Sequence, residues 1–308
     1  MRQPSPPPVF SLFAPPYAEF LPMDAGEGFA SRPEVMRGVA LLWCMERGHS
    51  GEELGVAATR PAGVPLMVIL PPSTIVRRLK DRVLEIVEEA RPQSILPYHP
   101  APDPEEMCHL LRREPEGLAG ELLDFLVWRG LRLDQETRRI VRRIAELSCE
   151  IRTLTALQRG VYLSRRALGR RFRDRGLPVP SHWLQFCRIL RAAIKLQNSE
   201  APLHQIARAL GYPDGFTLSN QMDRLVGIRP SLARERLGWE WVAEAWLQLE
   251  WKSGGLEVPL RGLAESAGRR SSESSAAVPP REPDGSGVPS IPDTAESTSG
   301  AKRCGAAA

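Results

Sequence analysis

The segment from 203 to 226 constrains the fold most, because it has the pattern of two short helices joined by a tight turn. After Pro202, three apolar residues recur at helical spacing: Ile206, Ala207 and Leu210. Gly211 can adopt the left-handed conformation that ends a helix. Asp214 is a suitable N-cap for a second helix at about 215–225. We therefore predict a helix-turn-helix unit here.

The outer face of the predicted 215–225 helix carries side chains that can enter the major groove of DNA. Asn and Gln can bond to adenine edges, Thr and Phe can contact a thymine methyl group, and Arg can bind guanine or phosphate. The predicted DNA-binding residues on this helix are Gly215, Phe216, Thr217, Asn220, Gln221 and Arg224.

A first unit of the same kind is predicted at 153–175. Ser164 is a good N-cap for a helix over Arg165–Asp174, from which Leu168 and Phe172 point inward. Arginines surround the rest of that helix: Arg165, Arg166, Arg170, Arg171 and Arg173. They suit phosphate and guanine, and the predicted DNA contacts are Arg165, Arg166, Arg170 and Arg173. A longer helix, about Ser181–Gln197, would hold the two units at a fixed spacing.

Positive charge is concentrated in the region of the two predicted helix-turn-helix units. Residues 137–237 hold 20 Lys and Arg against 7 Asp and Glu, whereas the rest of the chain holds 21 basic and 30 acidic residues. A basic block within an otherwise acidic chain is typical of proteins that bind a polyanion. An Arg-rich solvated surface is the alternative, and charge alone does not separate the two.

These residues resemble the AraC/XylS family of bacterial transcription regulators over about 100 of the 308 residues. The matching positions are Ser164, Leu168, Arg170, Phe172, Gly176, Arg188, Ala192, Ile206, Ala207, Leu210, Gly211, Tyr212, Ser219, Gly227 and Pro230. The resemblance implies a monomeric module with two recognition helices in successive major grooves. It also implies double-stranded DNA as the partner, with RNA polymerase as a further candidate.

The chain departs from the family pattern at several positions. Gln158 replaces a small residue and Tyr162 stands where Gly is common, so we expect a distorted first turn. Leu218 and Met222 replace aromatic residues in the second core and keep it apolar. Asp223 stands where a basic residue is usual. Gln158 and Asp223 motivate the alternative function, which is a helix-turn-helix-derived protein-interaction module that has lost DNA binding.

The sequence as a whole predicts an all-α C-terminal domain joined to a smaller N-terminal α/β domain, with disordered termini. Residues 1–32 are Pro-rich and 253–308 are rich in Ser, Gly, Ala and Pro, so both are predicted to be disordered. The α/β domain is assigned to 33–133 and the helix-turn-helix domain to 134–252. The tryptophans of its last helix are expected to pack back onto it: Trp239, Trp241, Trp246 and Trp251.

Within 33–133, Val64–Leu70 and Ser94–Pro97 are predicted strands, and residues 35–46 suit either a strand or a buried helix. Helices are predicted at Ile75–Ala90, Pro104–Arg113 and Leu118–Trp128. A degenerate receiver-like fold is one option, although prolines follow the strands where a receiver needs Asp or Lys. A small-molecule sensor is the other option, so an effector is a candidate partner.

No feature indicates catalysis. The five cysteines (Cys44, Cys108, Cys149, Cys187 and Cys304) are scattered without CxxC spacing, which argues against a zinc site or a disulfide framework. No phosphate loop or catalytic triad pattern is present. The sequence has no bilayer-spanning apolar run and its prolines interrupt any signal peptide. We therefore expect a cytoplasmic protein that has no cofactor, no metal and no membrane partner and is not an enzyme.

Overall fold

The computed structural model describes residues 8–23, 29, 37–45, 51–73, 85, 88–98 and 102–261. The strands are β1 (Phe10–Phe13), β2 (Phe20–Met23), β3 (Ala40–Cys44), β4 (Leu66–Ile69) and β5 (Ser94–Leu96). The helices before the central region are α1 (Gly51–Thr59), α2 (Pro104–Arg112), α3 (Leu118–Trp128) and α4 (Gln135–Leu147). They are followed by α5 (Leu154–Val161), α6 (Arg165–Arg173), α7 (Pro180–Asn198), α8 (Leu203–Ala209), α9 (Gly215–Val226), α10 (Pro230–Glu235) and α11 (Glu240–Lys252).

The predicted strands at Val64–Leu70 and Ser94–Pro97 are confirmed as β4 and β5, and residues 35–46 contain a strand, β3. The predicted helix Ile75–Ala90 falls mainly outside the described residues. None of the described helices is long and apolar enough to cross a bilayer.

The prediction of a disordered arm over residues 1–32 is wrong for β1 and β2. β1 pairs antiparallel with both β2 and β3, with Phe10 opposite Trp43. Phe10 and Phe13 are fully buried, so the two strands complete the sheet core. Pro22 lies on the outer strand β2, where a sheet tolerates proline.

The receiver-like option is not confirmed. The sheet order is β2-β1-β3-β4-β5, and only the β3–β4 and β4–β5 pairs are parallel. A receiver-like sheet is parallel throughout, and each parallel crossover needs a dozen or more residues. The connection from Phe13 to Phe20 is too short for one, so β1 and β2 form an antiparallel hairpin instead.

Both faces of the sheet are buried, which explains the continuous apolar runs of β3 and β4. On one face, Leu41, Trp43, Leu66 and Val68 pack with Ala57 of α1. On the other face, alternate residues of the same strands pack against α2: Ala40, Leu42, Met67 and Ile69 meet Met107 and Leu111.

The boundary at 133/134 is also corrected. Helix α3 packs in the core of the helical region through Leu122, Phe125 and Leu126, together with Ile144 of α4. The periodicity of 118–128 predicts the helix correctly, but it carries no information about which core the apolar face joins. The helical region therefore begins at Leu118.

The predicted start of the disordered tail, at residue 253, is too early in the sequence. Leu256 and Leu260 are 1% exposed and belong to the helical core. The backbone N–H of Glu257 donates to Gly176 O at 2.8 Å, and that of Arg261 donates to Arg129 O at 2.8 Å. Residues 253–261 are therefore part of the fold, and the rest of the predicted tail lies outside the described residues.

Buried polar contacts join the sheet to the helical region. The hydroxyl of Tyr17 donates to Gly38 O at 2.5 Å and accepts from the N–H of Leu237 at 2.8 Å. Burial raises the pKa of Tyr17 to about 12, so the hydroxyl keeps its proton. Arg91 lies 3.7 Å from the buried carboxylate of Glu240 at the start of α11.

A bidentate ion pair fixes α3 to α11. Arg129 Nε and Nη2 donate to the two carboxylate oxygens of Glu244 at 2.7 and 2.8 Å, and the two side chains are 3% and 11% exposed. Removing one member of a buried pair leaves an uncompensated charge, which is strongly destabilising.

We predict that Arg129→Ala lowers the free energy of unfolding by about 3–5 kcal/mol, because the Glu244 carboxylate is left buried and unpaired. Arg113→Ala is the matched control, since it removes an exposed pair with Glu116, whose side chains are 61% and 86% exposed. That change should cost no more than about 1 kcal/mol. Urea denaturation followed by circular dichroism measures both. Equal stability of the two variants would contradict the assigned role of Arg129.

Candidate nucleic-acid interface

The first helix pair, α5 and α6, is defined by caps that the sequence supplies. Thr153 Oγ accepts from the N–H of Ala156 at 3.2 Å, and Ser164 Oγ accepts from that of Ala167 at 3.2 Å. Each cap satisfies a backbone donor that the first turn of a helix would leave free. Leu157 and Phe172 are fully buried between the helices. The predicted cap at Ser164 and the helix after it are confirmed.

The expected distortion of the first turn is not observed. Tyr162 has φ 55°, ψ 34° and ends α5 in the left-handed conformation that glycine usually adopts. Its N–H, and that of Leu163, bond to Gln158 O. Tyr162 thus preserves the turn at a conformational cost of about 1–2 kcal/mol, and its side chain is 93% exposed.

The arginines of α6 divide into two sets. Arg165, Arg166, Arg170 and Arg173 are exposed, and no ion pair is found for them among the described residues. Arg171 is half-buried and pairs with Glu136 and Asp134 of the α4 region, while Arg175 pairs with Asp134. Arg171 therefore braces α6 against α4, which corrects its sequence-based placement on the outer surface.

The bracing carboxylate of Asp134 is itself the N-cap of α4. Its two oxygens accept hydrogen bonds from the hydroxyl of Thr137 at 2.7 Å and from the backbone N–H of Thr137 at 3.0 Å. These bonds, with a further contribution from Arg175, hold the pKa of Asp134 well below its usual value. A lasting negative charge at this point keeps the Arg175 guanidinium turned toward the scaffold.

Helix α7 connects the two units. It contacts α5 and α6 on one side and α8 and α9 on the other. Its buried Arg188 donates from Nη2 to Leu210 O at 2.7 Å, and its guanidinium lies 4.3 Å from the centre of the Tyr212 ring. The guanidinium thus satisfies a carbonyl at the end of α8 and stacks on an aromatic face, two interactions that a lysine would not reproduce.

The second pair, α8 and α9, follows the prediction closely. Asp214 accepts from the N–H of Thr217 at 2.7 Å, and this bonding lowers the pKa of the Asp214 carboxyl. Gly211 (φ 75°) forms the turn and Gly227 (φ 63°) ends α9. Leu218 and Met222 are fully buried, so these replacements of aromatic residues fill the second core.

The predicted contact residues of α9 form two rows on its outer surface. Phe216, which is 76% exposed, shares one row with Asn220 and the exposed Asp223. The neighbouring row contains half-buried Thr217 and Gln221 and exposed Arg224; Gly215 is half-buried at the start of the helix. The row with Phe216 therefore combines an apolar and an amide group at its start with a carboxylate at its end.

Sequence reasoning assigned no role to four arginines on α4. Arg138, Arg139, Arg142 and Arg143 are all exposed, opposite the buried stripe that contains Ile140 and Ile144. The i, i+4 spacing of the two arginine pairs is visible in the sequence. It was not assigned to the interface because α4 precedes the helix-turn-helix pattern.

Residues 157–236 match a family model described as a helix-turn-helix domain. The matched model is of the AraC type. The match covers α6 to α10 and most of α5, and it begins after α4. No curated protein and no solved structure matches the chain. Domains of this kind are associated with DNA binding and the regulation of transcription. Helices α6 and α9 are the two that the sequence predicts to be recognition helices.

A contact between a histidine and a glutamate connects the helix-turn-helix domain to α11. His182 Nδ1, near the start of α7, lies 2.9 Å from Glu250 Oε1 of α11. The bond to Glu250 raises the pKa of His182 above its ordinary value of 6.5, while partial burial and the nearby Arg224 oppose the rise. The protonated imidazole is therefore favoured in the folded protein.

We predict that this contact stabilises the protein fully below pH 6.5. The contribution is lost as the pH rises through the raised pKa, because the folded state then gives up a proton that it binds more tightly than the unfolded state does. Thermal unfolding between about pH 5.5 and about pH 8.5 should show this loss in the wild type and not in His182→Gln or Glu250→Gln. An NMR titration placing the His182 midpoint at or below 6.5 would contradict the assignment.

Proposed function

We propose that the protein is a sequence-specific DNA-binding transcriptional regulator. The observation that carries the proposal is the separation of the α6 arginines. Arg171 is held by the scaffold, whereas Arg165, Arg166, Arg170 and Arg173 project from the first recognition helix without an ion pair among the described residues. Exposed arginines of this kind bind phosphate and guanine. The helix-turn-helix match supports DNA binding in general.

The two recognition helices have different roles in this proposal. Helix α6 supplies most of the affinity through phosphate contacts and can read guanine. Helix α9 supplies most of the discrimination: Asn220 and Gln221 bond to adenine edges, and Phe216 and Thr217 contact thymine methyl groups. Gly215 lets the start of α9 pack closely on α8, since a Cβ there would lie 3.3 Å from both His204 N and Leu203 Cγ. Arg224 binds guanine or phosphate, and Asp223 weakens phosphate contact at the end of α9.

The sheet region has a regulatory role in this proposal. Tyr17 and Arg91 connect it to the segment Leu237–Glu240, which follows the matched domain. A small molecule or protein effector that binds the sheet would therefore act on elements packed against α7. We place the protein in the cytoplasm with RNA polymerase as a second partner, and we assign it no catalytic activity and no cofactor. Among the described residues, no group of three or more His, Cys, Asp or Glu could hold a metal ion.

The first test is selection of bound sequences from a pool of random duplexes by the full chain. The full chain is required because residues 118–133 and 253–261 pack into the helical core. We expect a motif with two half-sites about one helical turn apart. Asn220→Ala should relax the preference for adenine at one position by about 1–3 kcal/mol and leave the other half-site unchanged.

Retention without any motif would leave a non-specific DNA binder. No retention even at low salt would overturn the regulator proposal, and the helix-turn-helix unit would then be a protein-interaction module.

The salt dependence of binding tests the arginines of α6. Arg166→Gln and Arg170→Gln should each reduce the slope of log affinity against log salt by about 0.9, provided that each side chain neutralises one phosphate. Arg113→Gln is the control, since Arg113 is exposed and lies between α2 and α3. Fluorescence anisotropy with one labelled duplex at several salt concentrations measures the slopes. Unchanged slopes for both α6 variants would show that α6 does not contact the DNA backbone.

A further inference from the structure

An open groove of about 360 Å³ lies between α4 and the first turn of the helix-turn-helix domain. Arg139 and Arg143 line it from α4, and residues 160–163, which include Tyr162, line it from the turn. Its base is apolar, with Ile140 6% exposed. We refer to this feature as the α4 groove. Two arginines and a tyrosine thus line an open groove with an apolar base.

The α4 groove carries net positive charge. Its only acidic lining residue among those described is Glu136, and the guanidinium of Arg171 pairs with that carboxylate. Arg143 has an exposed partner, Glu146, at 3.2 Å, and such pairs are weak. Arg139 has no ion pair within the described part of the chain. An anionic ligand would therefore meet a site whose acidic member is already neutralised.

The α4 groove is continuous with the first recognition helix. Its last lining residue, Leu163, is followed by the Ser164 cap and then by Arg165 of α6. Arg171, from the middle of α6, reaches Glu136 on the same flank of α4. A duplex that contacts the start of α6 through the exposed Arg165 and Arg166 therefore passes close to the α4 groove.

Tyr162 gives independent support. A tyrosine in the left-handed conformation is less stable than glycine there, and its 93% exposed ring gains little from packing within the described residues. A residue in an unfavourable backbone conformation whose side chain makes little packing contact is typical of binding sites. The phenol hydroxyl is a common donor to phosphate oxygens.

We infer that the α4 groove binds the sugar-phosphate backbone of the DNA next to the half-site contacted by α6, through Arg139, Arg143 and Tyr162. The inference rests on the proposed DNA binding and extends it beyond the matched domain, which begins after α4. The contacts add affinity and lengthen the protected DNA without adding base discrimination, because phosphates carry no direct sequence information.

The test compares two double variants of the same helix. Arg139→Gln/Arg143→Gln removes the arginines of the groove, and Arg138→Gln/Arg142→Gln removes the other exposed pair, which does not line it. Anisotropy with a duplex that extends beyond both half-sites measures affinity at about 50 and about 200 mM salt. For the groove variant, the slope of log affinity against log salt should be smaller than that of the wild type by about 1.8. Its loss of affinity relative to the wild type should therefore be about 12-fold smaller at the higher salt concentration than at the lower one. The control should keep the wild-type slope.

Tyr162→Gly separates binding from folding. Glycine adopts the left-handed conformation freely, so the melting temperature should stay equal or rise while DNA affinity falls several-fold. A fall in affinity with a lower melting temperature would assign Tyr162 to the fold and remove it from the site.

Three outcomes overturn the inference. Wild-type slopes in the groove variant, with normal wild-type binding, would exclude the DNA backbone and favour an acidic protein segment in the groove. Equal slope losses in both double variants would reduce the effect to the general charge of α4. Absence of DNA binding by the wild type would overturn the proposed function and this inference together, whereas the first two outcomes leave the proposed function intact.

Discussion

The packing of α11 onto α7 is the interaction on which the rest of the structure depends. Trp246 stacks on Phe186 at 4.1 Å with an interplanar angle of 5°, and it meets Trp183 edge-on at 4.7 Å. All three rings are fully buried. Because α7 contacts both helix pairs, its position fixes both α6 and α9. The expectation that the C-terminal tryptophans pack back onto the domain is confirmed: Trp239, Trp241 and Trp246 are buried and Trp251 is half-buried.

Arginine has three distinct uses in this chain, and net charge does not distinguish them. Arg129 and Arg188 are buried and bond to groups inside the fold. Arg171 pairs with a neighbouring helix. A third group, which includes Arg166 and Arg170, is exposed and unpaired among the described residues. Buried arginines and those that pair with the scaffold are not available to an external polyanion, so the count of 20 basic residues between 137 and 237 overstates the charge presented to DNA.

Features that depend on neighbouring residues could be predicted from the sequence, and those that depend on distant contacts could not. The caps at Ser164 and Asp214 are confirmed because each bonds to a backbone N–H three residues away. β1 was missed because its four residues are too few to give a clear alternating pattern within a Pro-rich segment, and its pairing partner β3 is distant in sequence. The conformation of Tyr162 could not be predicted either, since the tertiary fold can hold a non-glycine residue in a left-handed turn.

The buried charges at the junction restrict how the sheet could influence the helix-turn-helix domain. Arg91 lies within 6 Å of the ring centres of Phe125 and Trp239 and 3.7 Å from the Glu240 carboxylate. Burial raises the pKa of Glu240, and Arg91 opposes that rise. Separating the sheet from α11 would leave these groups without their partners, which is costly wherever they stay out of water. Under the proposed regulatory role of the sheet, its full release is therefore disfavoured. In that proposal a signal instead passes through small shifts of α11 against α7, which move α6 and α9 together.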